Sequence, residues 1–252
     1  MRLNTVFAVI FTLTIARAVL AAEITKDVSL DKEKGEVSYK LVKPAFVRVS
    51  LGLEDGPIFA TLTDWAARQE GSHKEKWGKT GIPEIDKLLC NKKTVFTFNY
   101  FTGDPDDKPT LDIKDIAEEQ SVIGPIGRSS GGINLNYLHK EHKREFCREP
   151  KVNIAFPENI ASTKDGIPII DKPVTLTIEI APEDKIWFNR ERYSLYIFVD
   201  TVFAHGAFEG FSPYHWRLDP KGLNKGTHLL IVNLRGFNDH LGVALLPFCV
   251  KD

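Results

Sequence analysis

The segment 137–147, YLHKEHKREFC, sets His139, His142 and Cys147 in an H-x2-H-x4-C spacing. On a helix the two histidines would share a face, with the cysteine close by. Imidazole and thiolate together suit zinc or copper. The spacing matches no finger or metalloprotease pattern, and a structural zinc needs a fourth ligand. An exposed polar helix and a partner-facing loop therefore stand beside the metal reading. A histidine here would also suit the axial position or the edge of a haem held by another chain. The chain itself has no CxxCH, so it encodes no covalent haem attachment.

A second group is acidic. Asp104, Asp106, Asp107 and Asp112, with Asp115, crowd GDPDDKPTLDIKD. Calcium takes oxygen ligands from a turning loop, but this run lacks the EF-hand order of acids and glycine. A solvated acidic linker is the plainer expectation.

The third group is aromatic. HGAFEGFSPYHW, 205–216, carries His205, Phe208, Phe211, Tyr214 and Trp216 among two glycines and a proline, and Phe237 lies in the RGFNDH stretch that follows. The composition predicts a loop rich in the residues that dominate binding interfaces. Two alternatives remain: the phenylalanines fold back over a sheet end, or exposed Trp and Tyr stack on sugars. Catalysis has weaker support. Ser129-Ser130-Gly131-Gly132 is not a G-x-S-x-G elbow, and no phosphate or dinucleotide fingerprint occurs. The expectation is a protein that is not an enzyme and holds no cofactor of its own.

The elements that would position these groups read as strands. Val37, Tyr39 and Leu41 alternate with polar residues, as do Val47, Val49, Leu51 and Leu53, then Phe96, Phe98 and Tyr100. Val174, Leu176, Ile178 and Ile180 repeat the pattern, followed by Leu195, Ile197 and Val199, HLLIVNL and GVALLPFCV. Period-two alternation with turn signals such as Asp55-Gly56 predicts antiparallel strands in sandwiches. Sixteen phenylalanines and 42% hydrophobic residues give them a core.

Residues 1–21 read as a secretory leader: Arg2, an apolar run too short for a ~20-residue span, and small residues at the cleavage positions. Without Arg2 and Arg17 the chain holds 31 basic residues against 34 acidic ones, a net −3, a poor balance for nucleic acid. No later run is apolar enough to span a membrane. The expected location is periplasmic or extracellular.

Two stretches resemble known modules. Leu41-Val42-Lys43-Pro44-Ala45, Val47-Arg48-Val49, Asp55-Gly56, Thr61-Leu62 and Gly71-Ser72-His73 through Trp77-Gly78 resemble the immunoglobulin-like domain of flagellar hook-capping proteins and of bacterial secretion-sorting domains. Val199-Asp200, Tyr214 through Asp219 and Gly226-Thr227-His228-Leu229-Leu230 resemble a second bacterial immunoglobulin-like domain. The resemblance implies structural roles for His73, Trp77 and His228. It also implies an all-β chain: a leader at 1–21, immunoglobulin-like antiparallel β-sandwiches at 22–101 and 171–252, and an irregular middle at 102–170. Such modules mostly dock or space other proteins. The leading expectation is thus a non-catalytic accessory subunit with protein partners. A metal- or haem-associated protein and a carbohydrate-binding module are the alternatives.

Overall fold

A computed structural model describes residues 25–54, 56–102, 120–124, 129–130, 150–188, 193–208, 212–236 and 241–251. Its contacts divide the chain into two units. One draws on the described residues of Met1–Ser50, Leu62–Gly78 and Val95–Cys147, the other on those of Leu51–Thr61, Lys79–Thr94 and Arg148–Asp252.

In the first unit β1 (Thr25–Asp31), β2 (Glu36–Leu41) and β5 (Gly71–Lys76) form a sheet in the order β1-β2-β5, antiparallel throughout. The alternation predicted for β2 is real: Val37, Tyr39 and Leu41 are buried. The β1–β2 turn is held by Asp31, whose Oδ1 accepts the amides of Glu33 and Lys34. Gly35 (φ +62°) closes it, and a Cβ there would sit 2.8 Å from the Trp77 carbonyl oxygen. Trp77 thus packs on the hairpin, and His73 stacks on Tyr39 with ring centroids 5.4 Å apart. Tyr39 donates to Glu75 Oε1 (2.9 Å), and burial, with Glu75 beside it, holds the phenol in its neutral form.

A second sheet runs β4 (Ile58–Arg68), β3 (Ala45–Leu53), β6 (Thr94–Thr102), β7 (Gln120–Gly124) and β8 (Ser129–Ser130). Phe96, Phe98 and Tyr100 of β6 are buried as their spacing predicts. Phe98 meets Tyr39 at 4.7 Å, so residues of both sheets share one apolar interior.

The second unit pairs two sheets over one core. The larger runs β10 (Ile169–Ile170), β16 (Leu241–Val250), β15 (Gly226–Gly236), β12 (Tyr193–Val199) and β13 (Val202–Ala207). The smaller runs β14 (Tyr214–Leu218), β11 (Val174–Ile180) and β9 (Val152–Ala155). Leu176, Ile178, Leu195, Ile197, Leu230, Val232 and Phe248 interdigitate in the core. Each such side chain contributes roughly 1.5–3 kcal/mol through removal from water.

One described pair departs from the expected antiparallel pattern: β10 pairs parallel with β16, Ile170 opposite Val250. Two helices of one to two turns complete the described elements, α1 (Pro83–Leu89) and α2 (Pro182–Phe188). In α2 the buried Asp184 accepts the Lys151 amide at 3.0 Å. Among the described residues no helix is long and apolar enough to cross a membrane.

Asn233 explains how 51–61 joins the second unit. On β15, Leu230, Val232 and Leu234 face the core, which turns Leu229, Ile231 and Asn233 to the opposite face. There the Asn233 amide accepts from Ile58 N–H (2.7 Å) and donates to the Ile58 carbonyl (2.9 Å). Helix α1 also lies against β15. Among the described residues the outer face of the larger sheet is covered at β15, while Val202 and Phe203 of β13 are exposed.

Candidate functional site: an aromatic face on the β12–β13 hairpin

Of the residues 205–216, expected as a loop, six lie in strands that flank a shorter connection. His205, Gly206 and Ala207 belong to β13 and 214–216 to β14. Local composition hid this because β13 is an end strand with a bulge. Ile197 pairs with His205 but Phe198 pairs with Phe203, which leaves Ala204 unmatched. Strand neighbours two apart normally share a face; the extra residue breaks that rule. Phe203 therefore stays with Phe198 on the outer face, while His205 turns inward with Ile197.

The bulge creates two aromatic groups. On the outer face, Phe203 meets Phe198 edge to face at 5.8 Å, and Phe208 meets Tyr196 edge to face at 6.1 Å. Such pairs contribute about 0.5–1.5 kcal/mol beyond burial and fix ring orientation. Phe203 is 58% exposed, Phe208 71% and Val202 69%; these are the most exposed large apolar residues among those described. Gly206 faces outward opposite Tyr196, and a Cβ there would lie 3.1 Å from Phe203 Cζ. The missing side chain lets the Phe203 ring lie across the sheet.

Toward the interior, His205, Tyr214 and Trp216 come together. The His205 ring stacks with Tyr214 at 5.9 Å and with Trp216 at 6.4 Å, and Nε2 hydrogen-bonds Tyr214 Oη at 2.6 Å. Both aromatics pack on the core. This group ties the end strands β13 and β14 of the two sheets. His215 alternates to the other side of β14, 3.3 Å from Thr177 Oγ1.

The hairpin turn is fixed from its far side. Val199 pairs with Val202 across Asp200 and Thr201, both at positive φ (50° and 74°), as a tight two-residue hairpin requires. A β-branched Thr resists this geometry, so the turn needs support. Asp200 supplies it by accepting the Leu229 amide (2.8 Å) and bonding His228 Nδ1. His228 Nε2 meets the Asn224 carbonyl at 2.6 Å. Carboxylate and carbonyl are both acceptors, so this arrangement favours the doubly protonated, cationic imidazole over the neutral one. Burial opposes that charge, but the Asn224 carbonyl and the Asp200 carboxylate together hold the pKa above the ordinary histidine value.

A raised folded-state pKa means that this clamp's stabilisation is complete below the unfolded value near 6.5. It is lost as pH rises through the folded-state value. Urea midpoints between pH 6 and 9 should therefore fall with rising pH in the native protein, and His228→Gln should flatten that fall. A native profile that rises over this range would contradict the assignment.

Tyr196, Phe198 and Phe203 were not singled out from sequence. The signal was present: Tyr196 and Phe198 occupy the outward phase of β12, where a solvent-facing sheet would carry polar residues. Of the residues that were, Phe211 and Phe237 lie outside the described residues. So do His139, His142, Cys147, Asp104, Asp106, Asp107 and Asp112. Among the described residues no three His, Cys, Asp or Glu side chains gather as a metal site would require. Cys90 and Cys249 carry free thiols.

The described elements form an all-β fold, and its β12–β13 hairpin exposes aromatic rings. No family model matches the chain. No curated protein matches it. Three solved structures are similar at low identity. One is the endo-beta-1,4-mannanase from Thermotoga petrophila, with 15% identity, a TM-score of 0.29, 45% of this chain covered and 23% of that one. The central fibronectin-III array of RIM-binding protein shows 13% identity and a TM-score of 0.22, covering 90% of this chain and 68% of that one. A calcium-binding mutant of Bacteroides uniformis beta-glucuronidase 2 shows 12% identity and a TM-score of 0.21, covering 88% of this chain and 28% of that one. The chain thus spans about a quarter of the first and third of these proteins. Alignments at these scores assign it to no family.

Proposed function

We propose that this chain is an exported, non-catalytic recognition protein whose second unit binds carbohydrate on the outer face of β12 and β13. The observation that carries the reading is the pair of exposed rings, Phe203 and Phe208, each braced edge to face by a ring of β12. Pyranose rings present flat C–H faces, and a braced, exposed aromatic ring offers the matching flat apolar surface. The two phenylalanines are separated along the strand by roughly 13–17 Å at a strand rise of about 3.3 Å per residue. That span suits several consecutive sugars rather than one. The Tyr196 hydroxyl and Ser194 share the outward phase of β12 and supply polar partners.

Export rests on the leader-like residues 1–21, and the immunoglobulin-like resemblance of the two β-rich stretches is part of the same proposal. In it the first unit serves as a spacer or docking module. Affinity electrophoresis of the intact protein against a panel of neutral and acidic polysaccharides tests the reading. Retardation by at least one polysaccharide is expected; unchanged mobility in all of them would overturn it.

One observation favours a second reading. β13 is the end strand of its sheet and carries exposed Val202 and Phe203 beside its unpaired edge. Bare apolar edges accept a strand from another protein. On this reading the chain is an accessory subunit. It would co-purify with a partner protein from its native source and bind no glycan.

A further inference from the structure

The strand ends of the second unit build a cavity that the aromatic face does not include. It has a volume of about 400 Å3, and Lys172, Lys221, Lys225 and Lys251 line it with Asp171 and Asp219. Leu223 and Val250 supply an apolar floor, flanked by Pro173 and Pro220.

Two strand pairings assemble these groups. The parallel pair sets Ile170 opposite Val250, so the turn that follows β10 lies beside Lys251. The β11–β14 pair sets Val174 opposite Leu218, which brings Pro173 next to the loop after β14. That loop is shaped before any ligand arrives. Asp219 Oδ1 accepts the Lys221 amide at 2.9 Å, the Leu223 amide donates to the Pro220 carbonyl at 3.0 Å, and Gly222 takes φ +95°. Leaving Lys225 aside, three lysines (Lys172, Lys221 and Lys251) against Asp171 and Asp219 give the described lining a local excess of positive charge. The whole chain is at −1. Lysine acts as a compact point charge toward carboxylate, sulfate or phosphate. An apolar floor beneath a cationic rim suits an anionic group carried on a ring with an apolar face.

The cavity and the Asp200–Thr201 turn of the hairpin lie at the same end of the unit, with Phe203 near that turn and Phe208 farther along. His228 joins Asp200 of the hairpin turn to Asn224 of the lysine-bearing loop. We infer that the glycan recognised by this unit is acidic, bearing carboxylate or sulfate, and that its anionic group is bound in this pocket. The inference rests on the carbohydrate reading above.

The test measures affinities of the full chain by titration calorimetry at low salt. The probes are a polygalacturonate oligosaccharide, a chondroitin sulfate oligosaccharide and a neutral mannan oligosaccharide. Three proteins are compared: native, Lys172→Gln/Lys221→Gln/Lys251→Gln, and Phe203→Ala/Phe208→Ala. The carboxylated or the sulfated probe should bind about tenfold more tightly than the neutral one, and the lysine variant should erase that preference. The preference should also shrink as salt is raised. The two acidic arms identify which anion is preferred.

If acidic and neutral probes bind alike, or the lysine variant keeps the preference, the pocket inference falls and the aromatic reading stands. If binding is acidic-selective and lysine-dependent but indifferent to the phenylalanine change, the pocket stands and the aromatic reading falls. If none of the three probes binds, both fall. The exposed lysine changes should leave the melting temperature unaltered, which separates loss of binding from loss of fold.

Discussion

Asn233→Ala should lower the stability of the second unit by about 2–4 kcal/mol, seen as a fall in the urea midpoint with an unchanged slope. The side chain is buried and bonds both polar groups of one peptide residue, the N–H and the carbonyl of Ile58. Its removal strands two part-buried backbone groups, at roughly 1–2 kcal/mol each, the lower part of the range for an unsatisfied group. Nothing compensates, because alanine leaves a void as well. Asn233→Asp makes a sharper test. The carboxylate still accepts the Ile58 amide but sets a buried charge against the Ile58 carbonyl, so a loss at least as large as that of alanine is expected at neutral pH, easing at acidic pH where the protonated acid can donate. A midpoint unchanged in both variants would show that Ile58 is not held this way.

The second large effect is on binding. If the β12–β13 face binds carbohydrate as proposed, Phe203→Ala/Phe208→Ala should weaken that binding about 100-fold, with little change in melting temperature. Each exposed ring would bury one face against sugar, worth roughly 1–2 kcal/mol by apolar area. Every 1.4 kcal/mol is tenfold in affinity. Stability should be spared because both rings are mostly exposed and neither belongs to the core. A distinct variant probes the geometry alone. Gly206→Val puts a side chain where the Phe203 ring lies, so it should displace the ring and weaken binding while leaving both phenylalanines in the chain.

The strands that sequence alone made legible are those whose alternation coincides with burial. Tyr39 and Phe98 face a core, and every second neighbour does the same, so the period of two is written in residue type. β13 was illegible for a physical reason. An end strand with a bulge has no single buried face, and its glycine serves a ring that comes from three residues earlier. β10 is two residues long, and its parallel partner lies some eighty positions downstream, beyond any local pattern. The Asn233 bond to Ile58 spans 175 positions. A polar residue inside HLLIVNL does flag a buried partner, but not which one.

Of the aromatic face, sequence exposed the enrichment of 205–216 and not its arrangement. Tyr196 and Phe198 alternate with Leu195 and Ile197 in a strand that is apolar in both phases. The inward phase is explained by the core; the outward phase finds its explanation only in the rings of Phe203 and Phe208. His228 was expected in a structural role at a strand start. Its two acceptors give that role a charge, which residue type and position do not convey.

Saturation-transfer difference NMR on the intact protein with a soluble oligosaccharide tests the aromatic face most directly. Irradiation of the phenylalanine ring protons should transfer saturation to the C–H protons on one face of the sugar rings. The transfer should vanish in Phe203→Ala/Phe208→Ala. No transfer from the native protein to any oligosaccharide, or equal transfer from both proteins, would contradict sugar stacking on the β12–β13 hairpin.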